Sequence, residues 1–416
     1  MRDVSIIGAG ITKFGELWDK SLRELGLMAG LEAIQDAGIS SSDIDALYVG
    51  NMAAGSLVQQ EHVSALIADY CAMAGAHVPS TRIEGASASG GLALRQAYIA
   101  VAGGFIDVAV VGGAEKMTDV SDSESAHTLA MGADEEWESQ QGATFASLHA
   151  MMAQAHMTEF GTTREMLSAV ASKNHGHAAL NPQAQFPFPV KPEAVSSSGL
   201  VSDPLRMLDC APQSDGGAAV VLCASERAKE FSKSPISIVG SGQASDTLSL
   251  HHRASLSRMP AIAVAAERAF AQAGRKPADV SVAEIHDNFT ISELIALEEI
   301  GLAERGSAGQ LTLDGATTLG GAIPVNTGGG LKARGHPPGA TGVAQAVDQG
   351  VEHQRRPGHF TAQRADQRAA LVIDIEIAAA PLIDVVGAAG LCGGGRVLRD
   401  VLRATGDEQP VMNDRR

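Results

Sequence analysis

Near the start of the chain, a short run of mainly apolar residues is followed by apolar residues at helical spacing. Residues 4–10 (Val-Ser-Ile-Ile-Gly-Ala-Gly) form a short apolar run ending in glycine, which predicts a buried strand and a turn. The next apolar positions recur on one helix face before Ala37-Gly38: Leu22, Leu25, Met28, Leu31 and Ile34. A second apolar run at 46–49 predicts another strand. The chain therefore opens with a strand–helix–strand unit.

The same order of elements returns 236 positions later. Residues 236–242 predict a strand and a glycine turn, 262–273 a helix, and 282–285 a second strand. Four residue pairs keep this one spacing: Ala37/Ala273, Gly38/Gly274, Asp43/Asp279 and Ile44/Val280. The repeat predicts two homologous βαβαβ-type halves, 1–235 and 236–416, each a mostly parallel α/β sheet covered by helices.

Each half also carries a glycine-rich loop that opens a helix. Residues 85–91 precede a predicted helix at 92–102 and a strand at 107–111, and residues 328–339 precede a predicted helix at 340–347. The stretch 118–232 is irregular and rich in Met, His and Pro, which predicts an inserted loop or lid subdomain.

Ser87 is the first candidate for chemistry. Parallel sheets bind ligands beyond the carboxyl ends of their strands, where the next helices begin. Ser87 lies at or just before such a helix start, where free N–H groups favour developing negative charge. The alternative is that Ser87 or Ser89 caps the helix, and from residue type alone the cap is favoured.

Two histidine loops are the other candidates. His286 begins the loop 286–289 after a predicted buried strand, and it could donate a hydrogen bond to an oxyanion; the alternative is a His and an Asp that satisfy turn backbone. His336 lies between Gly335 and Pro337 at a helix start, a poor place for core packing and a good one for a base. Lys332 and Arg334 could contact phosphate, although a solvated surface pair is the commoner explanation.

Composition and charge narrow the function classes. Lys and Arg total 31 against 48 Asp and Glu, a net charge of −17, so nucleic acid and anionic membranes are poor partners. The four cysteines form no C-x-x-C pair and no zinc-binding spacing, which predicts reduced thiols, no metal and a cytoplasmic protein. No segment is long and apolar enough for a signal peptide or a membrane span.

Several segments in this order resemble the thiolase superfamily, in particular its archaeal and sterol-carrier-protein-2-like branch. They are the loop 86–91 (Ala-Ser-Ala-Ser-Gly-Gly), the strand end 111–118 (Val-Gly-Gly-Ala-Glu-Lys-Met-Thr), residues 174–182, the return segment 215–219 (Asp-Gly-Gly-Ala-Ala), the loop 286–289 (His-Asp-Asn-Phe) and the Gly-His-Pro loop 335–337. The likeness runs from residue 3 to about 347.

The resemblance implies the fold and the chemistry. It implies the thiolase fold, with the two halves stacked as a five-layer αβαβα core, and Claisen condensation or thiolysis of acyl-CoA thioesters such as acetyl-CoA. It places Ser87 at the nucleophile position, with His336 as its activating base. It also implies that His286 helps to bind the thioester oxygen of the second substrate. Asn288 stands where this branch often has an acid/base cysteine.

The resemblance also implies how the substrate is bound and which proteins associate. We expect substrate contacts at Gly90, Gly329, Gly330 and Lys332, and a coenzyme A thioester as substrate with no bound cofactor. Thiolases are typically homodimers or homotetramers, and members of this branch often work beside a small OB-fold zinc-ribbon protein.

Three features depart from the family pattern. Ser87 and Asn288 replace cysteines, and the tail after about 348 lacks the expected glycine-rich loop, with Cys392 only an approximate match. Two hypotheses therefore stay open: an acyltransferase that is impaired at position 87, or a non-catalytic acyl-CoA-binding component of a complex. An engineered serine at position 87 is also compatible with the sequence.

Overall fold

The computed structural model describes residues 1–71 and 73–348, together with the backbone of one strand at 369–373. The strands are β1 (Val4–Ile11), β2 (Ala46–Gly50), β3 (Ser80–Ile83), β4 (Val108–Glu115), β5 (Leu200–Ser202), β6 (Leu205–Arg206), β7 (Gly216–Ala224), β8 (Ile236–Gly242) and β9 (Ala369–Ile373). The helices of the first half are α1 (Leu22–Ala37), α2 (Ala54–Leu57), α3 (Val63–Tyr70), α4 (Ser89–Ala102), α5 (Asp122–Ala130), α6 (Phe145–Phe160), α7 (Arg164–Ala178), α8 (Pro192–Ser197) and α9 (Ala228–Phe231). They are followed by α10 (Pro260–Ala273), α11 (Thr290–Ile300), α12 (Ala308–Leu313) and α13 (Pro338–Val347).

Helix α1 forms where the sequence predicts it, but its buried face differs. A capping box between Ser21 and Glu24 starts the helix, and Gly38 ends it in the left-handed conformation. Met28 and Leu31 of the predicted face are exposed, whereas the small residues Ala29 and Ala33 are buried. The helix lies too close to β1 for long side chains: a Cβ on Gly8 would be 2.4 Å from the Ala33 carbonyl oxygen.

A seven-stranded sheet with the order β3-β2-β4-β7-β1-β8-β9 organises the chain. The pairs β3–β2, β2–β4 and β8–β9 are parallel, whereas β4–β7, β7–β1 and β1–β8 are antiparallel. The predicted mostly parallel sheets are thus replaced by one central mixed sheet, and β5 and β6 form a separate antiparallel pair. Sequence could not show this, because β7 reaches the sheet only after the long excursion from 118.

Helices cover both faces of the sheet. Along β7, Val220 and Leu222 pack in one cluster with α4 and α13, and Val221 and Cys223 pack in another with α1 and α3. This alternation follows from the two-residue period of a strand. The described residues therefore give an αβα sandwich, in which α13 of the second half packs on the sheet of the first.

The second half repeats the first only in part. Helix α10 and strand β8 lie where they are predicted, but the strand predicted at 282–285 is wrong: Ala283 forms a single bridge to Val325. Strand β8 pairs with β1, from Val4–Ile238 to Ile6–Ile236, and so joins the first half's sheet. The half boundaries, 1–235 and 236–416, stay predictions.

The predicted insertion at 118–232 is largely helical. Helices α6 and α7 pack with α10 and α11 around one apolar cluster that includes Leu148, Val170, Ile262 and Leu294. Residues 216–224 of the same stretch form β7, a central strand. The insertion thus builds a helical layer against the second half before it returns to the sheet.

Cys71, Cys210 and Cys223 are buried and form no disulfide among the described residues, as predicted. Burial raises the pKa of Cys71 to about 11 and that of Cys223 to about 12, so both are protonated, unreactive thiols at neutral pH. Cys392 and the atypical tail after 348 lie outside the described residues. None of the described helices has the length and apolar character needed to cross a bilayer.

Candidate active site

The candidate site lies at one edge of the sheet. Strands β2, β3 and β4 are parallel, so their carboxyl ends meet at the same edge. Asn51 follows β2, the loop that contains Ser87 follows β3, and Glu115 ends β4. This is the edge at which open parallel sheets hold ligands.

The Ser87 loop has an unusual backbone. Ala86 adopts a φ of +49°, a conformation that non-glycine residues rarely take, and its N–H donates to Glu84 at 2.6 Å. The Ser89 hydroxyl donates to the Ala86 carbonyl at 2.6 Å and accepts from the Gly85 N–H at 3.0 Å. These three bonds fix the turn that presents Ser87.

The Ser87 side chain does not cap α4. The N-cap residue is Ala88, no side chain accepts from the first turn, and Ser89 already belongs to the helix. The capping interpretation is therefore wrong for both serines. Ser87 is half-buried, and its Oγ lies 3.3 Å from Nε2 of His336.

Thr341 determines which nitrogen of His336 faces Ser87. The Thr341 hydroxyl donates to the Pro337 carbonyl at 2.9 Å, so it has no second proton for His336. It must accept from Nδ1 of His336, which lies 2.7 Å away. Nε2 therefore carries the free lone pair, and it accepts the Ser87 hydroxyl proton.

Two contacts hold His336 in this position. Its backbone N–H donates to the Ser214 hydroxyl at 2.8 Å, and the Gly339 N–H at the start of α13 donates to Glu115 at 3.0 Å. Glu115 also accepts from the backbone of Met52 and Ala53 at 2.9 and 3.1 Å. This buried carboxylate thus ties α13 to the ends of β2 and β4. Sequence reasoning assigned it no role, although it lies within the strand-end motif 111–118.

His286 meets His336 edge to face, with ring centroids 5.1 Å apart at 89°. Burial lowers the pKa of His286 to about 4, with the nearby Arg334 charge as a further cause. Burial also lowers the pKa of His336 well below its usual value, with His286 and Arg334 adding to the effect. Both imidazoles are therefore neutral at pH 7, as a base and a hydrogen-bond donor require.

Asp287 anchors the loop that follows His286. Its carboxylate accepts from the N–H groups of Leu331 and Lys332 at 2.6 and 3.2 Å and from the Asn174 amide at 2.7 Å. Asn174 also donates to the buried Glu293 at 2.9 Å. Sequence reasoning assigned no role to Asn174 or Glu293, since they become neighbours of Asp287 only through helix packing.

The predicted glycines of the site sit in tight backbone contacts. Gly329 and Gly330 have φ values of +108° and +59°, and a Cβ on Gly330 would be 2.3 Å from Asp287. A Cβ on Gly90 would be 2.6 Å from the Gly339 carbonyl oxygen, where α4 packs on α13. All three positions have a packing reason to be glycine, and their substrate contacts stay predictions.

Lys332 and Arg334 are not a solvated surface pair. Both are buried, with relative exposures of 2% and 0%. The Lys332 ammonium lies 5.8 Å from the Phe186 ring centroid, and Arg334 forms an ion pair with Asp348. Burial of this kind does not favour the predicted phosphate contact of Lys332.

Asn288 lies in the same loop as His286 and is buried. Its side-chain oxygen accepts from the Phe289 N–H at 3.0 Å, and its backbone oxygen accepts from Ala211 at 2.8 Å. A carboxamide does not titrate, so Asn288 can orient a group but cannot carry a proton.

Among the described side chains, no cluster of three or more His, Cys, Asp or Glu is arranged to hold a metal ion.

Comparison with known proteins places this geometry in a family. Residues 4–226 match the thiolase N-terminal domain and residues 242–375 the thiolase C-terminal domain-like family. The chain is 52% identical over 348 residues to the acetyl-CoA acetyltransferase of Methanothermobacter thermautotrophicus, covering 84% of this chain and 90% of that protein. It is 51% identical over 349 residues to the enzyme of the same name from Methanocaldococcus jannaschii, covering 83% and 88%.

The solved structure of the Ltp2-ChsH2(DUF35) aldolase is similar in three dimensions. The two share 31% sequence identity and superpose with a TM-score of 0.75 over 86% of this chain and 93% of that one. The predicted thiolase fold is confirmed, and the chain belongs to the thiolase family.

Proposed function

We propose that the protein is a thiolase-type acyltransferase that acts on acyl-CoA thioesters, with Ser87 as acyl acceptor and His336 as its base. The observation that carries this proposal is the Ser87–His336 contact of 3.3 Å, with Nδ1 of His336 held by Thr341. A hydroxyl and an oriented, neutral imidazole form a nucleophile–base pair. The similarity to two acetyl-CoA acetyltransferases supports the substrate class.

In the first half-reaction the Ser87 oxygen attacks the thioester carbonyl. An alcohol is a weak acid, so His336 removes the hydroxyl proton during attack. The imidazolium then gives that proton to the departing CoA sulfur. The products are an acyl ester on Ser87 and free CoA, and His336 is neutral again.

In the second half-reaction a second acyl-CoA supplies an enolate. Asn288 cannot remove the α-proton, so this proton passes to neutral His336. The enolate carbon attacks the acyl ester, and the Ser87 oxygen leaves with the proton from His336. Thiolysis is the same sequence in reverse. The His286 N–H would hold the thioester oxygen of the enolate, and Asn288 would help orient that substrate.

Partners and location extend the proposal. The Ltp2-ChsH2(DUF35) aldolase, by its name, contains a DUF35 protein, and this supports our prediction of a small OB-fold zinc-ribbon partner for this chain. We also propose a homodimer or homotetramer in the cytoplasm, with CoA thioesters as substrates and no bound cofactor. Size-exclusion chromatography with light scattering tests the oligomer directly.

The function is tested by following the loss of 3-ketoacyl-CoA in a mixture of 3-ketoacyl-CoA and CoA. We expect slow turnover by the natural chain and no turnover by Ser87→Ala. We expect His336→Ala to lose at least about 100-fold while it still binds CoA, since general base catalysis contributes about that much. A His336→Ala rate equal to that of the natural chain would contradict the assignment of His336 as the base. Binding without turnover in every variant would favour the non-catalytic acyl-CoA-binding component instead.

A further inference from the structure

A buried carboxylate in α11 connects two amide side chains that hold the His286 loop. Glu293 has no exposed surface. Its Oε2 accepts from the amides of Asn174 at 2.9 Å and Asn326 at 2.7 Å, and its Oε1 forms an ion pair with Lys173 at 2.9 Å. The amide nitrogens and the ammonium group can only donate, so position 293 requires two acceptor oxygens.

Asn326 holds the backbone on the amino-terminal side of His286. Its Oδ1 accepts from the Ile285 N–H at 2.7 Å, and its own backbone N–H donates to the Ala283 carbonyl at 2.8 Å. A backbone N–H can only donate, so Oδ1 must face Ile285 and Nδ2 must face Glu293. Glu293 thus fixes the orientation of the amide that holds Ile285.

Asn174 holds Asp287, on the carboxyl-terminal side of His286. Its Nδ2 donates to Asp287 at 2.7 Å as well as to Glu293, and its Oδ1 accepts from the Lys173 ammonium at 2.6 Å. An ammonium can only donate, so this amide also has a single possible orientation. The residues on both sides of His286 are therefore held by amides that Glu293 orients.

The position of the His286 ring depends on this backbone. The ring packs edge to face on His336, which is held by different residues, Thr341 and Ser214. A change at Glu293 should therefore displace the group proposed to hold the enolate oxygen and leave the nucleophile–base pair in place.

We infer that Glu293 is a positioning residue for the carbon–carbon bond step: through the two amides it aims the His286 N–H at the thioester oxygen of the enolate. The inference rests on the proposed acyl-CoA function and assigns a residue to one of its two half-reactions. Glu293 touches no reacting atom in this account and acts through the His286 loop. A misplacement of about 1 Å can slow a reaction by up to about 100-fold.

The test compares two donors that leave the same acetyl group on Ser87. With acetyl-CoA the leaving group is CoA. With acetoacetyl-CoA the Ser87 oxygen bonds to the keto carbon, the carbon–carbon bond breaks, and the enolate of acetyl-CoA leaves and takes the proton from His336. Only the second donor uses the proposed role of His286. The initial rate of acetylation by each donor is measured by intact-mass spectrometry of the full chain.

Glu293→Gln keeps the shape of the side chain but replaces one acceptor by an NH₂ group that faces another donor. We expect the rate with acetoacetyl-CoA to fall about 10- to 100-fold and the rate with acetyl-CoA to change little. Glu298→Gln is the matched control, since Glu298 is a buried carboxylate on the same helix that bonds to His156 and Ala308 instead. It should leave the ratio of the two rates unchanged.

An unchanged ratio in Glu293→Gln, including an equal loss of both rates through poorer folding, would overturn the inference. Asn174→Ala decides the question if Glu293→Gln fails to fold. It removes the bond to Asp287 but keeps that of Asn326 to Ile285, so the same ratio should fall by a smaller factor, and an unchanged ratio would again overturn the inference. Failure of either donor to acetylate Ser87 in the natural chain would instead overturn the proposed function, and this inference with it.

Discussion

Thr341 shows how one hydroxyl can set the direction of a proton transfer. It accepts from Nδ1 of His336 and donates to Pro337, so the other ring nitrogen faces Ser87. Without it, the imidazole can turn or take the other tautomer, in which Nε2 carries a proton and cannot act as a base. The bond lies five residues along the chain from His336, on the first turn of α13.

Thr341→Val should therefore lower kcat at least about tenfold with little change in KM, since the variant keeps the shape but loses the acceptor. Thr341→Ser should restore most of the rate. Steady-state kinetics of both variants check this. Equal kcat for Val and Ser at this position would show that Thr341 acts through packing alone.

Ser87→Cys tests the assignment of Ser87 as nucleophile through a gain of rate. A thiol is a far stronger acid than an alcohol, and the neighbouring neutral His336 can accept its proton. We expect the thiolysis rate of Ser87→Cys to exceed that of the natural chain by at least about tenfold, with Ser87→Ala inactive. Rates of the Cys variant at or below that of the natural chain would contradict the placement of Ser87 at the reacting carbon.

At the residue scale, sequence identified the site but not all of its contacts. Gly335-His336-Pro337 indicated a functional histidine, and the structure brings it to Ser87. The capping role for Ser87 was wrong because a residue preference describes an isolated helix start, and it carries no information on a histidine 249 positions away. Lys332 and Arg334 were misjudged because their burial results from packing across distant segments.

At the element scale, glycines set how closely α13 approaches α4 and the ends of β2 and β4, and hence how far His336 lies from Ser87. Gly339 illustrates the constraint: a Cβ there would lie 2.6 Å from the Gly50 oxygen and 2.8 Å from the Ala114 oxygen. Backbone atoms cannot move aside as a flexible side chain can. The sequence showed the glycine-rich loops 85–91 and 328–339, but it did not show that the two loops pack on each other.

Gly90→Ala and Gly339→Ala should each lower the free energy of unfolding by about 1–3 kcal/mol and reduce the acyl-transfer rate. The first overpacks the contact of α4 with α13, and the second overpacks the contact of α13 with the ends of β2 and β4. Gly176→Ala is the matched control. Gly176 is exposed inside α7, and a Cβ at this position would have nothing within 4 Å, so the same change should stabilise by about 0.5–1 kcal/mol. Urea denaturation measures all three, and a Gly339→Ala variant as stable as the natural chain would contradict the close packing.

At the scale of the whole molecule, buried titratable groups couple stability to pH. His177 is the clearest case: Leu319 donates to its Nε2 at 3.1 Å, and its Nδ1 lies 3.0 Å from the Asn326 carbonyl oxygen. Burial, with the Lys173 charge, lowers the pKa of His177 to about 4. Asp287 and Glu284 have the opposite effect on the pH dependence of the free energy of unfolding, since burial raises their pKa values to about 6 and about 8.

The sign for His177 follows from proton linkage. Between pH 6.5 and about 4 the unfolded chain binds a proton that the folded chain does not, so the free energy of unfolding falls as pH falls. The slope for this one group is about 1.4 kcal/mol per pH unit at most, and it vanishes above pH 6.5. His177→Gln should remove this contribution. Unfolding curves at pH 7 and pH 4.5 check it, and an unchanged slope would refute it.

Much of the whole-molecule organisation was accessible from sequence through the repeat at 236 positions and the ordered thiolase motifs. What sequence could not supply is how the halves meet. Strand β8 pairs with β1, and α13 of the second half covers the sheet of the first. These contacts join segments hundreds of residues apart, and neither periodicity nor turn signals carry such information.

In the proposed reaction Ser87 takes the acyl group from a CoA thioester with His336 as base. An oxygen ester is a poorer acyl donor than a thioester, so the acylated protein should accumulate. Incubation with acetyl-CoA alone, followed by intact-mass and peptide mass spectrometry, should show one acetyl group on the peptide that contains Ser87. It should be absent in Ser87→Ala and strongly reduced in His336→Ala. CoA release without acetyl on Ser87, or acetyl on another residue, would contradict the account.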